Sequence, residues 1–163
     1  MSPVRAIPEG YHSVTPYLTC KNAAQAIDYY KSVFGATEAV CMKSPDGKIG
    51  HAELKIGDSF IFVSDEFPGM NSAPTRGVKN ACGIFLYVEN VDDIFNRAVA
   101  AGAKVDMPLD NQFWGDRYGK LTDPFGHQWG VAQHVEDVAP EEMERRSKEW
   151  QAKMAKAAAA GQS

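Results

Sequence analysis

The same succession of predicted elements occurs twice in this chain, and this repeat restricts the fold more than any other feature of the sequence. Each half reads strand, helix, strand, strand, strand. Gly35 follows the first predicted helix as Gly102 follows the second, and Ile27 and Ile94 take equivalent places within the two helices. An internal repeat of this kind indicates two copies of one structural unit. We therefore predict an α+β fold of two βαβββ modules, in which each small sheet has one face covered by its own helix.

Proline, glycine and polar residues divide the chain into segments. The stretch 65–80 contains several turn-forming residues, among them Pro68, Gly69 and Pro74, and is predicted to link the modules. The predicted domains are a flexible arm at 1–10, the first module at 11–64, the linker at 65–80, the second module at 81–134, and a C-terminal helix and tail at 135–163.

Hydrophobic periodicity and turn signals give bounds for each element. In the first helix, apolar residues at three- and four-residue spacing follow Asn22, a suitable N-cap, and Gly35 stands where the helix should end. The predicted helices cover 23–34, 91–101 and 139–160. The predicted strands cover 13–20, 37–43, 49–56, 60–64, 82–88, 104–107, 117–122 and 127–132.

The last two strands are predicted to form a hairpin around the sequence DPFG at 123–126, which suits a type I turn at each position. Trp129 on the returning strand is large and apolar and needs a surface to pack against. We predict that it lies beneath the second helix, as Val63 or Ile61 lies beneath the first. His127, with the same parity as Trp129, is predicted to make a structural hydrogen bond to the backbone.

Composition and charge exclude several classes of function. The 163 residues carry a formal net charge of −4, and the sequence pI is about 5.5. This argues against nucleic acid as a partner, because phosphate contacts need a basic face. No apolar run approaches the roughly 20 residues of a membrane span, so we expect no membrane partner. Widely spaced cysteines without a Cys-x-x-Cys pattern, and a start without a signal pattern, predict reduced thiols in a cytoplasmic protein.

Several stretches between about residues 12 and 147 form a pattern that goes beyond the repeat. They are AIDYYKSVFGA and DPFGHQW, together with VTPYL, DGKIGHAELKIGDSFIFVSDE, LYVENVDDIFNRAVAAGAKV, WGDRYGKLTDPFGHQWGVAQH and EDVAPEEMERR. In these stretches the chain resembles the vicinal oxygen chelate superfamily, which holds glyoxalase I, extradiol dioxygenases, fosfomycin resistance enzymes and bleomycin-binding proteins. The resemblance is closer to its PhnB-like branch.

The resemblance implies two sheets that curl around a cleft, and chains that often pair as dimers. Catalytic members hold a divalent metal in the cleft through His and Glu residues on the first and fourth strands of each module. Carried over by position, these places fall on Thr15, Phe62, Gly83 and Gly130. None of the four is a usual ligand for a divalent ion. We therefore expect no metal and no other cofactor. From the resemblance we also expect a homodimer that binds a small-molecule ligand.

His51 and Glu53 are the candidate catalytic residues. They lie two apart on a predicted strand, so their side chains share one face, which we expect to be the cleft side. They could act as a base with its orienting partner, or as two ligands of a displaced divalent metal site. They could equally be a polar pair on an open sheet. Residues His12 and His134 flank the folded region without a visible partner.

Aromatic and hydroxyl side chains are predicted to line the cleft, because they share the parity of its face and binding pockets are mostly apolar with a few polar groups. They are Thr15, Tyr17, Phe60 and Phe62 in the first module and Phe85 and Tyr87 in the second. The alternative is a filled core between the modules.

Two further ligand contacts are predicted at the entry to the last hairpin. Trp114 lies in a predicted loop at the cleft rim and has no packing role visible in the sequence, so Trp114→Ala is expected to change stability by no more than about 1 kcal/mol. Arg117 could hold an anionic ligand in a bidentate manner, or it could pair with the adjacent Asp116.

Three functional hypotheses follow from these observations. The favoured one is a metal-free protein that binds a small aromatic or amphipathic molecule. The second is a lyase, isomerase or transferase that uses His51 and Glu53 or a displaced metal. The third is a structural or regulatory dimer without a ligand. The C-terminal helix has a narrow apolar stripe that includes Trp150 and Met154, which either clasps its own domain or contacts a second copy.

Overall fold

Two four-stranded sheets, each with one helix, make up the body of the protein and confirm the predicted pair of βαβββ modules. The structure is a computed structural model, and it describes residues 4–161. The first module contains β1 (Tyr17–Cys20), α1 (Ala23–Phe34), β2 (Thr37–Lys43), β3 (Ile49–Ile56) and β4 (Ser59–Asp65). The second contains β5 (Gly83–Tyr87), α2 (Val91–Ala100), β6 (Lys104–Asn111), β7 (Asp116–Thr122) and β8 (Gln128–His134), and α3 (Pro140–Ala160) follows.

The two sheets have the same topology. The strand order is β1-β4-β3-β2 in the first and β5-β8-β7-β6 in the second. β1 runs parallel to β4 and β5 runs parallel to β8, while the other neighbours are antiparallel. A parallel pair needs a crossover connection, and in each module the helix provides it.

Helix α1 begins and ends where the sequence predicts. The Asn22 side chain accepts a hydrogen bond from the backbone of Gln25 at 3.2 Å, and Gly35 ends the helix in the left-handed conformation with φ 68°. The buried carboxylate of Asp65, at the end of β4, adds a contact that the sequence did not suggest. It accepts the backbone N–H of Ala23 at 2.9 Å and that of Ile49 at 2.7 Å. Asp65 therefore ties the start of α1 to the sheet.

Two strands differ most from their predicted bounds, and proline is involved in both. β1 begins at Tyr17, whereas 13–20 was predicted. Pro16 has no N–H to donate, and only its carbonyl takes part, accepting from Phe62 N at 2.8 Å. β6 extends to Asn111, whereas 104–107 was predicted. It passes through Pro108 because the pairing with β7 shifts register between Met107 and Asp110, which leaves the proline at an irregularity.

The sequence places Trp129 beneath α2, and the structure adds aromatic residues of α1 to its neighbours. Its side chain is 1% exposed, and the aromatic rings against it belong to Phe34 and Tyr30 of α1, with centroids 4.5 and 5.4 Å away. Val63 and Ile61 are buried in the same core, which also takes in Phe95 of α2. The helix-side residues of both sheets thus form one continuous core, because α1 packs across the module boundary.

The buried side chain of Asp123 makes hydrogen bonds to residues of both modules in this shared core. Its carboxylate accepts the backbone N–H groups of Phe125 and His127, both at 2.9 Å, as the predicted turn requires. The other carboxylate oxygen accepts the Tyr30 hydroxyl at 2.7 Å and Trp129 Nε1 at 2.9 Å. One turn residue of the second module therefore fixes a helix residue of the first.

The faces of the sheets that carry no helix, here called the open faces, lie on the outside of the molecule because the helix sides share one core. Large aromatic side chains on them remain accessible to solvent. Tyr17 on the first sheet is 53% exposed, and Phe85 and Tyr87 on the second are 48% and 60% exposed.

Helix α3 is attached to the second module along its first half. Arg146 pairs with Glu136 at 2.7 Å and donates to the carbonyl of Phe113, and the Trp150 ring lies 5.6 Å from the Phe113 ring. None of its described residues is buried, and Met154 is 42% exposed. Helix α3 thus packs only partly against its own module, and its contact with a second copy stays a prediction. No helix among residues 4–161 is long and apolar enough to cross a membrane.

Candidate functional site

A cavity of about 450 Å³ lies on the open face of the first sheet, where the chain leaves β4. It is lined by residues of β1, β3 and β4 and by residues near the start of the linker at 65–80, here called the connector, which are Tyr17, Thr19, Gly50, Ser64, Phe67, Met70 and Asn71. One wall is aromatic and the other carries hydroxyl and amide groups. Such a combination is typical of small-molecule sites.

The polar wall of the cavity is held in place by Asn71. Its side-chain amide donates to Ser64 Oγ at 3.1 Å and to the carbonyl of Asp65 at 3.2 Å, and its oxygen accepts the backbone N–H of Phe67 at 2.6 Å. Ser64 is 1% exposed, and since its oxygen accepts from Asn71, its own hydroxyl hydrogen can still be donated. The start of the connector is therefore part of the site.

His51 and Glu53 share the open face as predicted, and they form a chain of hydrogen bonds beside the cavity. His51 Nε2 lies 3.1 Å from Glu53 Oε1, and the Tyr17 hydroxyl lies 2.9 Å from His51 Nδ1. Because an ionised carboxylate only accepts, Nε2 carries a hydrogen and donates it to Glu53, and Nδ1 can accept from the Tyr17 hydroxyl when it carries none. The Tyr11 hydroxyl also donates to Glu53. The hydrogen bonds from Tyr11 and then His51 lower the pKa of Glu53 against the opposing effect of burial.

Tyr11 is a site residue that the sequence did not reveal. Its ring stacks on Phe60, with centroids 4.3 Å apart and planes within 10°. The rings of Tyr17, His51 and Phe62 contact one another, and the Phe62 centroid lies 5.7 Å from that of Tyr17 and 4.9 Å from that of His51. No local pattern marks Tyr11, because its contacts depend on how the segment ahead of β1 crosses the sheet.

The open face of the second sheet carries a smaller cavity of about 250 Å³. Phe85 stacks on Tyr118 at 5.1 Å and packs beside Tyr87 at 5.0 Å. Gly130 is needed beneath this pair, since a Cβ there would lie 2.8 Å from the Tyr118 ring. The aromatic residues predicted for this face are therefore in contact with one another.

Trp114 and His134 both have partners that the sequence did not show. The Asp116 carboxylate, which belongs to a residue only 2% exposed, accepts Trp114 Nε1 and the Tyr87 hydroxyl at 2.9 Å each. His134 Nδ1 lies 2.8 Å from the same carboxylate. The sequence indicates no structural role for Trp114 and no partner for His134, and the structure corrects both expectations. The contact of His134 depends on the pairing of β7 with β8, which brings Asp116 opposite His134. The contact of Trp114 joins two residues only two positions apart in the chain.

The pKa values of this cluster move in opposite directions. Burial alone would raise the pKa of Asp116, but the hydrogen bonds from His134, Tyr87 and Trp114 outweigh it and the pKa is lowered. The hydrogen bond to Asp116, followed by that to Asp137, raises the pKa of His134. The cluster thus favours an ionised carboxylate beside an imidazolium.

Arg117 and Thr15 do not join the other predicted site residues. Arg117 makes a bidentate pair with Asp92 of α2, with nitrogen–oxygen distances of 2.8 and 2.6 Å, so the alternative partner Asp116 is wrong. Since Asp116 faces the open side, its neighbour in the strand faces the helix side. Thr15 is half-buried ahead of β1 and does not line the cavity.

The positions that would hold a metal in catalytic relatives do not fit one. They are Thr15, Phe62, Gly83 and Gly130, and in the sheets Phe62 lies opposite Tyr17 and Gly130 lies opposite Phe85. None of these side chains is a usual ligand for a divalent ion. Within residues 4–161, no group of three or more His, Cys, Asp or Glu side chains is placed to hold a metal ion.

The His127 ring makes the backbone hydrogen bond predicted for it, to the carbonyl of Thr19 at 3.0 Å.

Among residues 4–161, the two cavities described above lie on separate modules and not in the expected cleft between the sheets. The larger cavity is lined by the first module and the connector, and the smaller one by the second module alone. The cause is the shared core, which places the two open faces on the outside of the molecule.

Comparisons with known proteins agree with this architecture. The family model described as Glyoxalase/Bleomycin resistance protein/Dioxygenase superfamily matches residues 10–131. The protein Rv0887c of Mycobacterium tuberculosis (strain ATCC 25618 / H37Rv) is 40% identical over 136 residues, which is 81% of this chain and 80% of that protein. The crystal structure of protein PA1353 from Pseudomonas aeruginosa is 31% identical with a TM-score of 0.64, and covers 77% of this chain and 99% of that chain.

A PhnB protein from Bacillus cereus shares the fold at 19% identity, with a TM-score of 0.62, over 75% of this chain and 99% of that chain. Its identity is too low to support more than the fold. The repeated modules, the sheet topology and the family match over most of the chain lead to one assignment. This chain belongs to the glyoxalase, bleomycin resistance protein and dioxygenase superfamily.

Proposed function

We propose that the protein binds a small aromatic or amphipathic molecule in the cavity on the open face of the first sheet, without a metal ion. The observation that carries this proposal is a cavity of about 450 Å³ with an aromatic wall and a fixed polar wall. This volume is within the range of sites for drug-sized ligands.

The two walls indicate what kind of ligand fits. Tyr17 and Phe67 contribute aromatic rings that can pack against an apolar or aromatic body. Ser64 and Asn71 are held together by their own hydrogen bond at 3.1 Å, so they can bind one polar edge of a ligand without first becoming ordered. Preorganised polar groups lose less free energy on binding than mobile ones.

We further propose that the active form is a homodimer in the cytoplasm, in which the open face of a second copy covers the ligand. Exposed aromatic patches rimmed by polar residues mark interaction surfaces, and both open faces carry half-exposed aromatic residues. Phe85 and Tyr87 would then meet a ligand bound against Tyr17 of the other copy. Sedimentation that shows a monomer at micromolar concentration would contradict this part of the proposal.

A thermal-shift screen of small aromatic and amphipathic compounds tests the binding proposal. A ligand that binds only the folded state raises Tm by mass action. We expect at least one aromatic compound to do so in the native protein, and Tyr17→Ala to abolish the shift. The control is Trp150→Ala, which removes another half-exposed aromatic residue far along the chain, on α3. Equal loss in both variants, or no shift with any compound, would contradict the proposal.

The chain Tyr17–His51–Glu53 supports a second candidate, a lyase or isomerase that abstracts a proton from its substrate. Glu53 orients the ring through Nε2, and the Tyr17 hydroxyl marks where a substrate proton would meet Nδ1. If the protein is such an enzyme, His51→Gln should remove turnover and leave the ligand-induced Tm shift intact. Turnover that survives His51→Gln would exclude this mechanism.

A further inference from the structure

His134 stands between two carboxylates at one end of the open face of the second sheet. Its Nδ1 lies 2.8 Å from Asp116 and its Nε2 lies 2.9 Å from Asp137. Carboxylates that are ionised can only accept hydrogen bonds. Both ring nitrogens must therefore carry hydrogen, so this geometry requires His134 to be an imidazolium.

On the Asp116 side, the His134 ring contacts a buried carboxylate that has several hydrogen-bond donors. Asp116 is 2% exposed and receives donors from Tyr87 on β5 and Trp114 on the preceding turn as well as from His134. These contacts hold the carboxylate and, through it, fix the direction of the ring. Nε2 consequently faces away from the protein core.

The Asp137 side is different, because that carboxylate has little to hold it. Its side chain is fully exposed, and its contact with His134 is its only hydrogen bond among residues 4–161. The backbone next to it is fixed, since the N–H groups of Val135 and Glu136 both donate to the carbonyl of Gly115. The side chain of Asp137 can therefore swing away without moving the strand.

We propose that His134 Nε2 is an anion-binding position that accepts the carboxylate of a small organic acid, and that Asp137 occupies this position within the free protein. In the free protein this position already binds a carboxylate, that of Asp137, through a charged ring N–H group. An external carboxylate would replace Asp137 and make the same bond. The site lies on the second sheet, so it does not depend on the cavity of the first.

Nearby charges leave Nε2 available to such a ligand. Glu136 is held by Arg146 at 2.7 Å, and Arg117 faces the helix side, where it pairs with Asp92. Asp116 and Asp137 are thus the carboxylates that act on His134 from β7 and from the segment after β8. Both raise the pKa of His134, so the donor persists to higher pH than in a free histidine and is lost above its raised pKa.

The test is an NMR titration of the His134 ring in the full-length protein, with acetate as the probe and chloride at equal ionic strength as the reference. In Asp137→Asn we expect the pKa of His134 to fall, and acetate at tens of millimolar to raise it again. In the native protein the effect of acetate should be smaller, because Asp137 competes. At a pH above the His134 pKa acetate should have no effect on the ring.

Asp28→Asn is the matched control, since it removes one exposed carboxylate from α1 in the other module. It should leave the His134 titration and its weak acetate response as in the native protein. If acetate and chloride act equally on the ring of Asp137→Asn, the proposal is overturned. The side-chain carboxyl resonance of Asp137 in the native protein gives a second readout, because acetate must shift it towards that of a free carboxylate.

Discussion

Asp123→Ala should be among the most destabilising substitutions of a charged residue in this chain. Asp123 is 4% exposed, and it accepts the side-chain donors of Tyr30 and Trp129, which are 0% and 1% exposed. Alanine leaves both donors buried without an acceptor. An unsatisfied buried donor costs about 1–3 kcal/mol.

The expected loss can be worked from these contacts. Two orphaned donors give about 2–6 kcal/mol. The two backbone N–H groups of the turn lie nearer the surface, where water can replace part of what they lose, so we expect them to add about 1 kcal/mol and the total to be about 3–7 kcal/mol. A loss of this size is a large fraction of the stability of a typical domain, about 5–15 kcal/mol.

Urea unfolding followed by tryptophan fluorescence measures the effect, with Asp46→Ala as the control. Asp46 is also a turn aspartate that accepts a backbone N–H, from Lys48 at 3.3 Å, but it is exposed. A double-mutant cycle with Tyr30→Phe should show a coupling of about 1 kcal/mol or more. If Asp123→Ala costs no more than Asp46→Ala, Asp123 does not join the two modules energetically.

Three further predictions concern stability and metal content. Trp129→Ala should cost about 3–5 kcal/mol in chemical denaturation, as for a buried tryptophan, whereas Trp114→Ala should cost about 1–3 kcal/mol, more than its sequence suggests, because Asp116 loses a donor. His134→Gln should flatten the pH dependence of Tm on the alkaline side. The raised pKa of His134 means that its contribution is fully present below the unfolded pKa of about 6.5 and is lost as pH rises through the folded one, so an unchanged alkaline profile would refute this. Protein purified without chelator should carry well under one equivalent of zinc, nickel, iron or manganese by elemental analysis, and one tightly held ion that is lost in His51→Ala would restore metal chemistry.

Much of the fold could be predicted because each module repeats local signals. Helix α1 has its N-cap at Asn22 and its stop at Gly35, and both act as the sequence indicates. Strand β6 was predicted too short because Pro108 normally ends a strand. The structure accommodates it by a shift of register against β7, which depends on the neighbouring strand and leaves no local mark.

The candidate site was predictable only in part, since parity gives the face of a residue but not its partners. Parity predicted that His51 and Glu53 share one face, and in the structure their side chains are in contact at 3.1 Å. It could not pair Arg117 with Asp92, because that contact joins a strand to a helix 25 residues earlier. It also missed Tyr11, whose contact with Glu53 requires the segment ahead of β1 to cross the sheet.

The core that both modules share has a consequence for cutting this chain in two. A fragment that ends in the connector would keep Tyr30 and Phe34 but lose the indole that covers them, and the other fragment would keep Trp129 without its aromatic neighbours. Neither half encloses its own interior. The two halves should therefore be insoluble or unfolded when produced apart and should fold when produced together, even though each contains a complete copy of the repeat.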